Sequence, residues 1–405
     1  MTFNDLGLQS FLTDKCEQMG YTQPTPIQQQ AIPVVMEGGD IIATAETGTG
    51  KTAAFLLPIL HKLNDGKRPV GTKVLILSPT RELANQTDAA CRQFAPKGIT
   101  CASIIGGAGY KAQIDAIKRG ATIIIATPGR LMDFMEQGMI DFSKLEFLVL
   151  DEADRMLDMG FLPSIKRIVK AIPTKRQTLF FSATMAPEVE KIAYQIVADP
   201  TFIEVSRRGN AAVNIEQTAY PVAQASKMPL LLDLLEKEDW ERVLVFTRTK
   251  RGADRLAHIL EKRSHKSNRI HGDRSQSQRE AALRSFKSGK TRVLIATDVA
   301  ARGIDIDSVS HVINYDIPVA AEDYVHRIGR TGRAGKGGRA ITLFTMAEEH
   351  SMRAIEKLTG QQVERIVLPD FGGTAAPVTA AKPFQPGGGA AKSRSFRSFG
   401  GRRRR

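Results

Sequence analysis

Cysteine, tryptophan and long apolar runs are scarce in this sequence, and each scarcity excludes a class of proteins. The three cysteines, Cys16, Cys91 and Cys101, form no CxxC pair and have no histidine at metal-ligand spacing. Neither a zinc cluster nor a disulfide framework is written into that pattern, and three reduced thiols are expected. One Trp and 6% aromatics leave too few stacking residues for a platform that reads bases by their faces. No apolar run reaches the ~18 residues of a membrane span, and the opening MTFNDLGLQSF has neither a basic n-region nor an apolar h-region. A soluble, unsecreted, cytoplasmic protein is expected.

What is present is length and positive charge. A chain of 405 residues with 42% hydrophobic content can bury more than one core, so two domains are expected. The net charge of +14 and the pI near 9.7 favour a polyanionic partner, either nucleic acid or an anionic membrane. Eight of those charges, Lys382, Lys392, Arg394, Arg397 and Arg402 to Arg405, fall in residues 371–405, which contain no acid. Gly, Ala, Pro, Ser and Arg replace hydrophobic periodicity there, so burial cannot offset the entropy of ordering and a disordered Gly/Arg-rich basic tail is expected. Phe384, Phe396 and Phe399 lack an amphipathic helical period, which disfavours the membrane.

Before the tail, short β-rich runs alternate with amphipathic stretches. DIIATA, KVLILSP, TIIIATP, FLVLDEAD and QTLFFSAT are each followed by a helix-like segment. Near-continuous apolar strands between helices indicate a parallel sheet covered on both faces. The pattern pauses over residues 206–221 and then repeats with RVLVFTRT, NRIHGD, TRVLIATD, HVINYD and RAITLF. The fold class is therefore α/β, with two similar parallel-sheet lobes in tandem. The expected boundaries are an N-terminal segment 1–30, a first lobe 31–206, a linker 207–217, a second lobe 218–370 and the tail 371–405.

AETGTGKT, from Ala45 to Thr52, lies between an apolar strand and a helical run, the setting a phosphate-binding P-loop requires. Its glycines let backbone N–H groups and a helix N-terminus face phosphate oxygens. Ala45, Glu46, Thr47, Gly48, Thr49 and Gly50 form that loop, Lys51 reaches the outer phosphates, and the Thr52 hydroxyl is a ligand for Mg²⁺. Asp151, Glu152 and Asp154 follow the buried run LEFLVL, at a strand's carboxyl end, where α/β ligands bind. Asp151 suits the Mg²⁺ shell and Glu152 suits orientation of the attacking water. Acidic residues there can also simply start a helix. Arg327, Arg330 and Arg333, at i, i+3 spacing, are expected to share one helical face, and with the interleaved glycines they suit either phosphate binding or a solvated helix end.

DEAD in one-letter code, AETGTGKT, Ser182-Ala183-Thr184 and HRIGRTGRAG together resemble the DEAD-box RNA helicases over roughly Phe3 to Leu368. The short N-terminus and Gly/Arg-rich tail resemble the bacterial RhlE-type group. The resemblance implies two RecA-like P-loop domains and an RNA-stimulated ATPase that uses ATP and Mg²⁺. In GYTQPTPIQ it implies that Gln28 hydrogen-bonds adenine and that Phe3 stacks on it; from the residues alone, Gln28 is equally an ordinary helix-start residue. It further implies that Arg330 and Arg333 are arginine fingers and that Asp305 contacts the ribose. Asp154, Ser182, Thr184, His326 and Arg327 would couple the lobes. The implied RNA contacts are Pro79, Thr80, Arg81, Gly106, Gly107, Thr127, Pro128, Gly129 and Arg130 in lobe one, and Arg248, Gln276, Arg279, Thr297 and Asp298 in lobe two.

Most of those RNA candidates are small, hydroxylic or basic, which suits phosphates and sugars and not base edges, so binding without sequence specificity is expected. The implied action is local unwinding of short duplexes as ATP closes the cleft, with RNA released on hydrolysis. An ATP-gated clamp or annealing chaperone is the alternative, and a DNA translocase would leave the DEAD tetrad and GYTQPTPIQ unexplained. Ribosomal precursors or RNA-decay machinery are the expected partners of a monomer.

Overall fold

The computed structural model describes residues 1–45, 48–66, 69–205, 215–237, 240–301, 306, 309–332 and 337–372. Most of the expected linker and nearly all of the expected tail lie outside the described residues. So do Glu46, Thr47, Asp305 and Arg333.

Every run quoted above overlaps a strand. Lobe one holds β1 (Ile41–Thr44), β2 (Val74–Leu77), β3 (Cys101–Ile104), β4 (Ile123–Ala126), β5 (Phe147–Leu150), β6 (Gln177–Ser182) and β7 (Thr201–Glu204). Lobe two holds β8 (Ile215–Pro221), β9 (Val243–Phe246), β10 (Ser267–Ile270), β11 (Val293–Ala296), β12 (His311–Asn314), β13 (Gly338–Phe344) and β14 (Glu364–Arg365). The first sheet runs β3-β4-β2-β5-β6-β1-β7 and the second β10-β11-β9-β12-β13-β8-β14, with every pairing parallel. Counted from each lobe's own first strand the two orders are identical, so the lobes repeat one topology.

Burial follows from that arrangement. In β2, Val74 and Ile76 join the cluster around Phe55 and Phe181, while Leu75 and Leu77 join the cluster around Phe134 and Phe180. Both faces are covered, which is why these strands read as continuous apolar runs rather than as alternating ones. Phe55 and Phe181 meet at 5.4 Å between ring centroids, and truncating either to Ala would cost ~3–5 kcal/mol.

One expectation is corrected here. The pause at residues 206–221, and with it the last three residues of the expected linker 207–217, includes β8, which pairs with β13 over seven residues. Its mixed burial, with Glu216 exposed and Ala219 buried, hid it from a search for apolar runs. Cys91 on the Arg81–Phe94 helix and Cys101 at the start of β3 are neighbours, with Cα atoms 7.1 Å apart, and Cys16 is buried. The helix packs over β3 and brings the two side chains together, a proximity that a ten-residue sequence separation does not announce. Among the described residues, no helix is long and apolar enough to cross a membrane.

Candidate nucleotide and RNA sites

The sheet order places β5, β6 and β1 side by side, so the segments leaving their carboxyl ends converge. After β1, Gly48 and Gly50 take left-handed φ values of 89° and 93°, and Gly50 precedes the Lys51–Leu63 helix. A Cβ at Gly50 would lie 2.4 Å from Gln28 Nε2, so a side chain there would have to displace the Gln28 amide and would sit at a backbone angle that favours glycine. Gln28 is buried and makes two bonds at this point. Its Oε1 accepts from the Thr25 N–H at 2.9 Å, closing a capping box on the Pro26–Glu37 helix, and its Nε2 donates to Gly50 O at 3.1 Å. The helix-start reading of Gln28 therefore describes its geometry, and the same side chain also braces the phosphate loop. Phe3 is only 5% exposed and packs into the lobe-one core; that burial, and not an open ring face, is what the structure gives it.

Lys51 is buried and donates to Ala45 O at 2.8 Å across the loop. Thr52 follows it, half-buried. Asp151 leaves β5 at 2% exposure, and its Oδ1 is buried with no hydrogen-bond partner among the described residues. A hard oxygen in that state suits a cation such as Mg²⁺. Among the described residues, no group of three or more His, Cys, Asp or Glu stands ready to cage a metal.

Burial works to raise the pKa of both neighbouring carboxyls, and the two respond oppositely. At Asp151 burial prevails over the opposing charge of Lys51, helped by the negative charge of Glu152, and the pKa is raised. At Glu152 the Arg155 guanidinium, then Lys51 and Arg330, outweigh burial and hold the carboxyl below its usual range. Arg155 Nη1 donates to Glu152 Oε2. Glu152 itself sits at φ 51°, ψ 54°, a left-handed conformation that a non-glycine residue adopts at a cost of ~1–3 kcal/mol.

Asp154 gathers the next segment. Its Oδ2 accepts from the N–H groups of Ala183 and Thr184 at 3.1 and 2.9 Å and from Thr184 Oγ1 at 3.0 Å. Ser182 closes the turn by donating to Thr184 O at 2.6 Å.

Lobe two supplies Arg330, which is buried and close enough to Glu152 to act on its charge. The shared helical face expected for Arg327 and Arg330 is not formed. The Ala321–Ile328 helix stops at Gly329, so Arg330 departs while Arg327 turns inward. Arg327 takes both oxygens of Asp298 at 2.6 and 2.7 Å, Asn314 Oδ1 at 3.1 Å and Asp316 O at 2.6 Å. It is spent inside lobe two and does not reach lobe one by any of these bonds, and Asp298, expected at RNA, is its partner. His326 lies half-buried in the same last turn.

The RNA candidates occupy the other half of each sheet's carboxyl edge. Pro79 to Arg81 follow β2, Gly106 and Gly107 follow β3, and Thr127 to Arg130 follow β4. Arg248, Gln276 with Arg279, and Thr297 with Asp298 follow β9, β10 and β11, the equivalent strands of lobe two. Gly106 and Gly107 lie under the Arg81 guanidinium, where a Cβ on Gly107 would meet Nη1 at 2.1 Å. Thr80 caps its helix by accepting from the Leu83 N–H at 3.3 Å, and Thr127 precedes the Pro128–Glu136 helix. Arg130 lies over the Tyr110 ring at 5.2 Å. Gly129 has open space where a Cβ would point. Thr297 is buried, and Arg248 is bound to Glu348 at 3.0 Å. Gln276 and Arg279 turn toward lobe one instead, where Gln276 Nε2 donates to Glu82 Oε1 at 3.2 Å and Arg279 pairs with Glu82 Oε2 at 3.0 Å. Glu82 was not singled out from the sequence. Its one signal is an acid placed directly after Arg81 in the first turn of a helix.

Two parallel-sheet lobes of identical strand order, a P-loop with carboxylates beside it and an arginine brought from the second lobe define a two-lobed protein of the P-loop nucleotide-binding class. Residues 25–192 match the DEAD/DEAH box helicase family and residues 226–335 the helicase conserved C-terminal domain. The chain is 44% identical over 379 residues to the ATP-dependent RNA helicase vasa of Drosophila melanogaster, covering 91% of this chain and 56% of vasa. It is 42% identical over 370 residues to the ATP-dependent RNA helicase CshA of Listeria monocytogenes, covering 91% of this chain and 71% of CshA. The fold is similar to that of S. cerevisiae Dbp5 bound to RNA and ADP BeF3, with a TM-score of 0.82 and 33% identity, covering 90% of this chain and 95% of that one. The chain belongs to the DEAD-box helicase family. It spans little more than half the length of vasa.

Proposed function

We propose that this protein is an ATP-dependent RNA helicase that grips the RNA backbone without reading sequence and opens short duplexes locally. The observation that carries this reading is the convergence of Lys51, Asp151 and Glu152 of lobe one with Arg330 of lobe two, close enough for Arg330 to act on the Glu152 charge. A nucleotide in the P-loop would thus be sensed by both lobes, and hydrolysis would depend on their apposition. Thr52 and Asp151 would hold Mg²⁺, which supplies charge neutralisation between the outer phosphates. Glu152 would orient the attacking water and accept its proton, while Arg330 would stabilise charge on the transferred phosphoryl group.

RNA would lie along the carboxyl edges of β3-β4-β2 and β10-β11-β9. Small and basic residues at those strand ends suit phosphates and sugars. A strand spanning both edges couples RNA binding to lobe closure, and phosphate loss reopens the lobes. The RhlE-type group is the best-fitting branch, because the basic segment from Gly372 onward matches its Gly/Arg-rich tail. A cytoplasmic monomer acting on ribosomal precursors or with RNA-decay machinery completes the proposal.

The test is ATP turnover with and without single-stranded RNA, alongside displacement of a short RNA duplex. RNA should stimulate turnover, the duplex should open only with ATP, and Lys51→Ala should abolish both. Turnover indifferent to RNA, or duplex opening without ATP, would refute the reading.

A further inference from the structure

Arg155 stands one helical turn beyond Glu152, and no family motif residue named above requires it. Its side chain is only 9% exposed, and that of Glu152 is 5% exposed. A guanidinium and a carboxylate buried that deeply are each costly alone and tolerable only as a pair. Arg155 commits Nη1 to Glu152 Oε2, while its Nε is buried without a hydrogen-bond partner among the described residues. A purely structural arginine would be expected to satisfy its donors more fully; this one gives up a bond and keeps the carboxylate.

The geometry around the pair is fixed from both ends. Glu152 is held in the left-handed region at φ 51°, which sets the direction in which its side chain leaves the backbone. The Arg155 backbone N–H donates to Asp154 Oδ1 at 3.0 Å, and the other oxygen of Asp154 holds Ala183 and Thr184. Backbone strain therefore aims the Glu152 side chain, and an arginine whose backbone is anchored to the same network holds one oxygen of its carboxylate. Lys51 also acts on the Glu152 charge, while its ammonium donates to Ala45 O at 2.8 Å.

From this arrangement we infer that Arg155 is a positioning residue for hydrolysis: it holds the carboxylate of Glu152 by Oε2, keeping the plane in which Glu152 meets the attacking water. The inference rests on the assignment of Glu152 as the water-orienting group. On this inference Arg155 acts only through Glu152, so its loss should act on the turnover rate and not on substrate affinity.

The experiment compares Arg155→Met and Arg155→Lys with the parent full-length enzyme. It measures RNA-stimulated kcat, the KM for ATP and the affinity for a fluorescent ATP analogue, with thermal melting to establish folding. Arg155→Met should lower kcat at least tenfold while KM and analogue affinity stay within twofold. Arg155→Lys, which keeps one charged donor, should recover part of the loss, and it serves as the decisive variant if the methionine form does not fold. In single-turnover assays on the Glu152→Gln background, adding Arg155→Met should change the residual rate less than twofold, because the group through which Arg155 acts is already gone. An unchanged kcat in Arg155→Met, or an equal loss on the Glu152→Gln background, overturns the role of Arg155 alone. A parent-like rate in Glu152→Gln by itself overturns the assignment of Glu152, and this inference with it.

Discussion

Glu82, in the first turn of the Arg81–Phe94 helix of lobe one, and Arg279, on the Gln276–Lys287 helix of lobe two, form an ion pair of 3.0 Å. Both side chains are nearly buried, at 6% and 12% exposure, and Gln276 adds a second bond to the same carboxylate. Burial pulls the Arg279 guanidinium below its usual range against the attraction of Glu82. Removing one member of a buried pair strands the other, at a cost of ~2–5 kcal/mol. Here that cost falls on lobe apposition and not on the folding of either lobe. Arg279→Met should therefore shift energy-transfer-labelled lobes toward larger separation while leaving each lobe's melting transition in place. The exchanged pair Glu82→Arg with Arg279→Glu should restore part of the closed population.

The phosphate loop makes a steric prediction. Gly50→Ala would drive a Cβ to 2.4 Å from Gln28 Nε2 and place a side chain at φ 93°. Relieving the contact displaces the Gln28 amide that braces the loop, and the angle strains the backbone at Gly50, so ATP affinity should fall by at least tenfold, the equivalent of ~1.4 kcal/mol. Equilibrium binding of a fluorescent ATP analogue measures this directly, with RNA affinity in the absence of nucleotide as the control that should not move.

Asp154→Asn keeps the shape and removes the charge that three donors from Ala183 and Thr184 share. An amide cannot present two accepting oxygens, so one side of the network is left unmet at ~1–3 kcal/mol. RNA-stimulated turnover should drop while ATP binding persists, and a binding isotherm set beside a stimulation curve separates the two.

His311 yields a pH prediction. Its ring stacks on Trp240, the sole tryptophan, at 4.1 Å between centroids and 18° between planes. Burial, then the charges of Arg339 and Arg292 against that of Glu216, pushes its pKa from 6.5 down to about 4. The folded lobe therefore holds this histidine neutral where the unfolded chain would take a proton. Its stabilising contribution is complete above about 6.5 and is lost as pH falls from there toward about 4. Between pH 7.5 and 5.5 the loss should be roughly 1 kcal/mol. Urea unfolding followed by Trp240 fluorescence should show this slope, and His311→Gln should flatten it.

Much of the fold was legible because doubly covered parallel strands leave continuous apolar runs, as in Val74–Leu77 and Ile123–Ala126. Peripheral strands leave no such trace. β7 buries only Ile203 of its four residues, β14 is two residues long, and β8 mixes exposed and buried positions. The phosphate-loop and acidic candidates could be proposed from sequence because each motif is contiguous and follows a strand. Arg327 was misplaced because a regular i, i+3 spacing takes no account of where the helix stops. Glu82 was missed because its partner Gln276 is 194 residues away, a distance that composition and periodicity do not cross.

The most direct test of the two-lobed site is Arg330→Ala, assayed for nucleotide affinity and RNA-stimulated turnover together. ATP affinity should stay within about threefold, because lobe one supplies the phosphate loop, while stimulated turnover should fall by ~10³ or more, as for loss of an arginine finger. RNA-stimulated turnover at the parent rate in Arg330→Ala would contradict the claim that both lobes act on one phosphate.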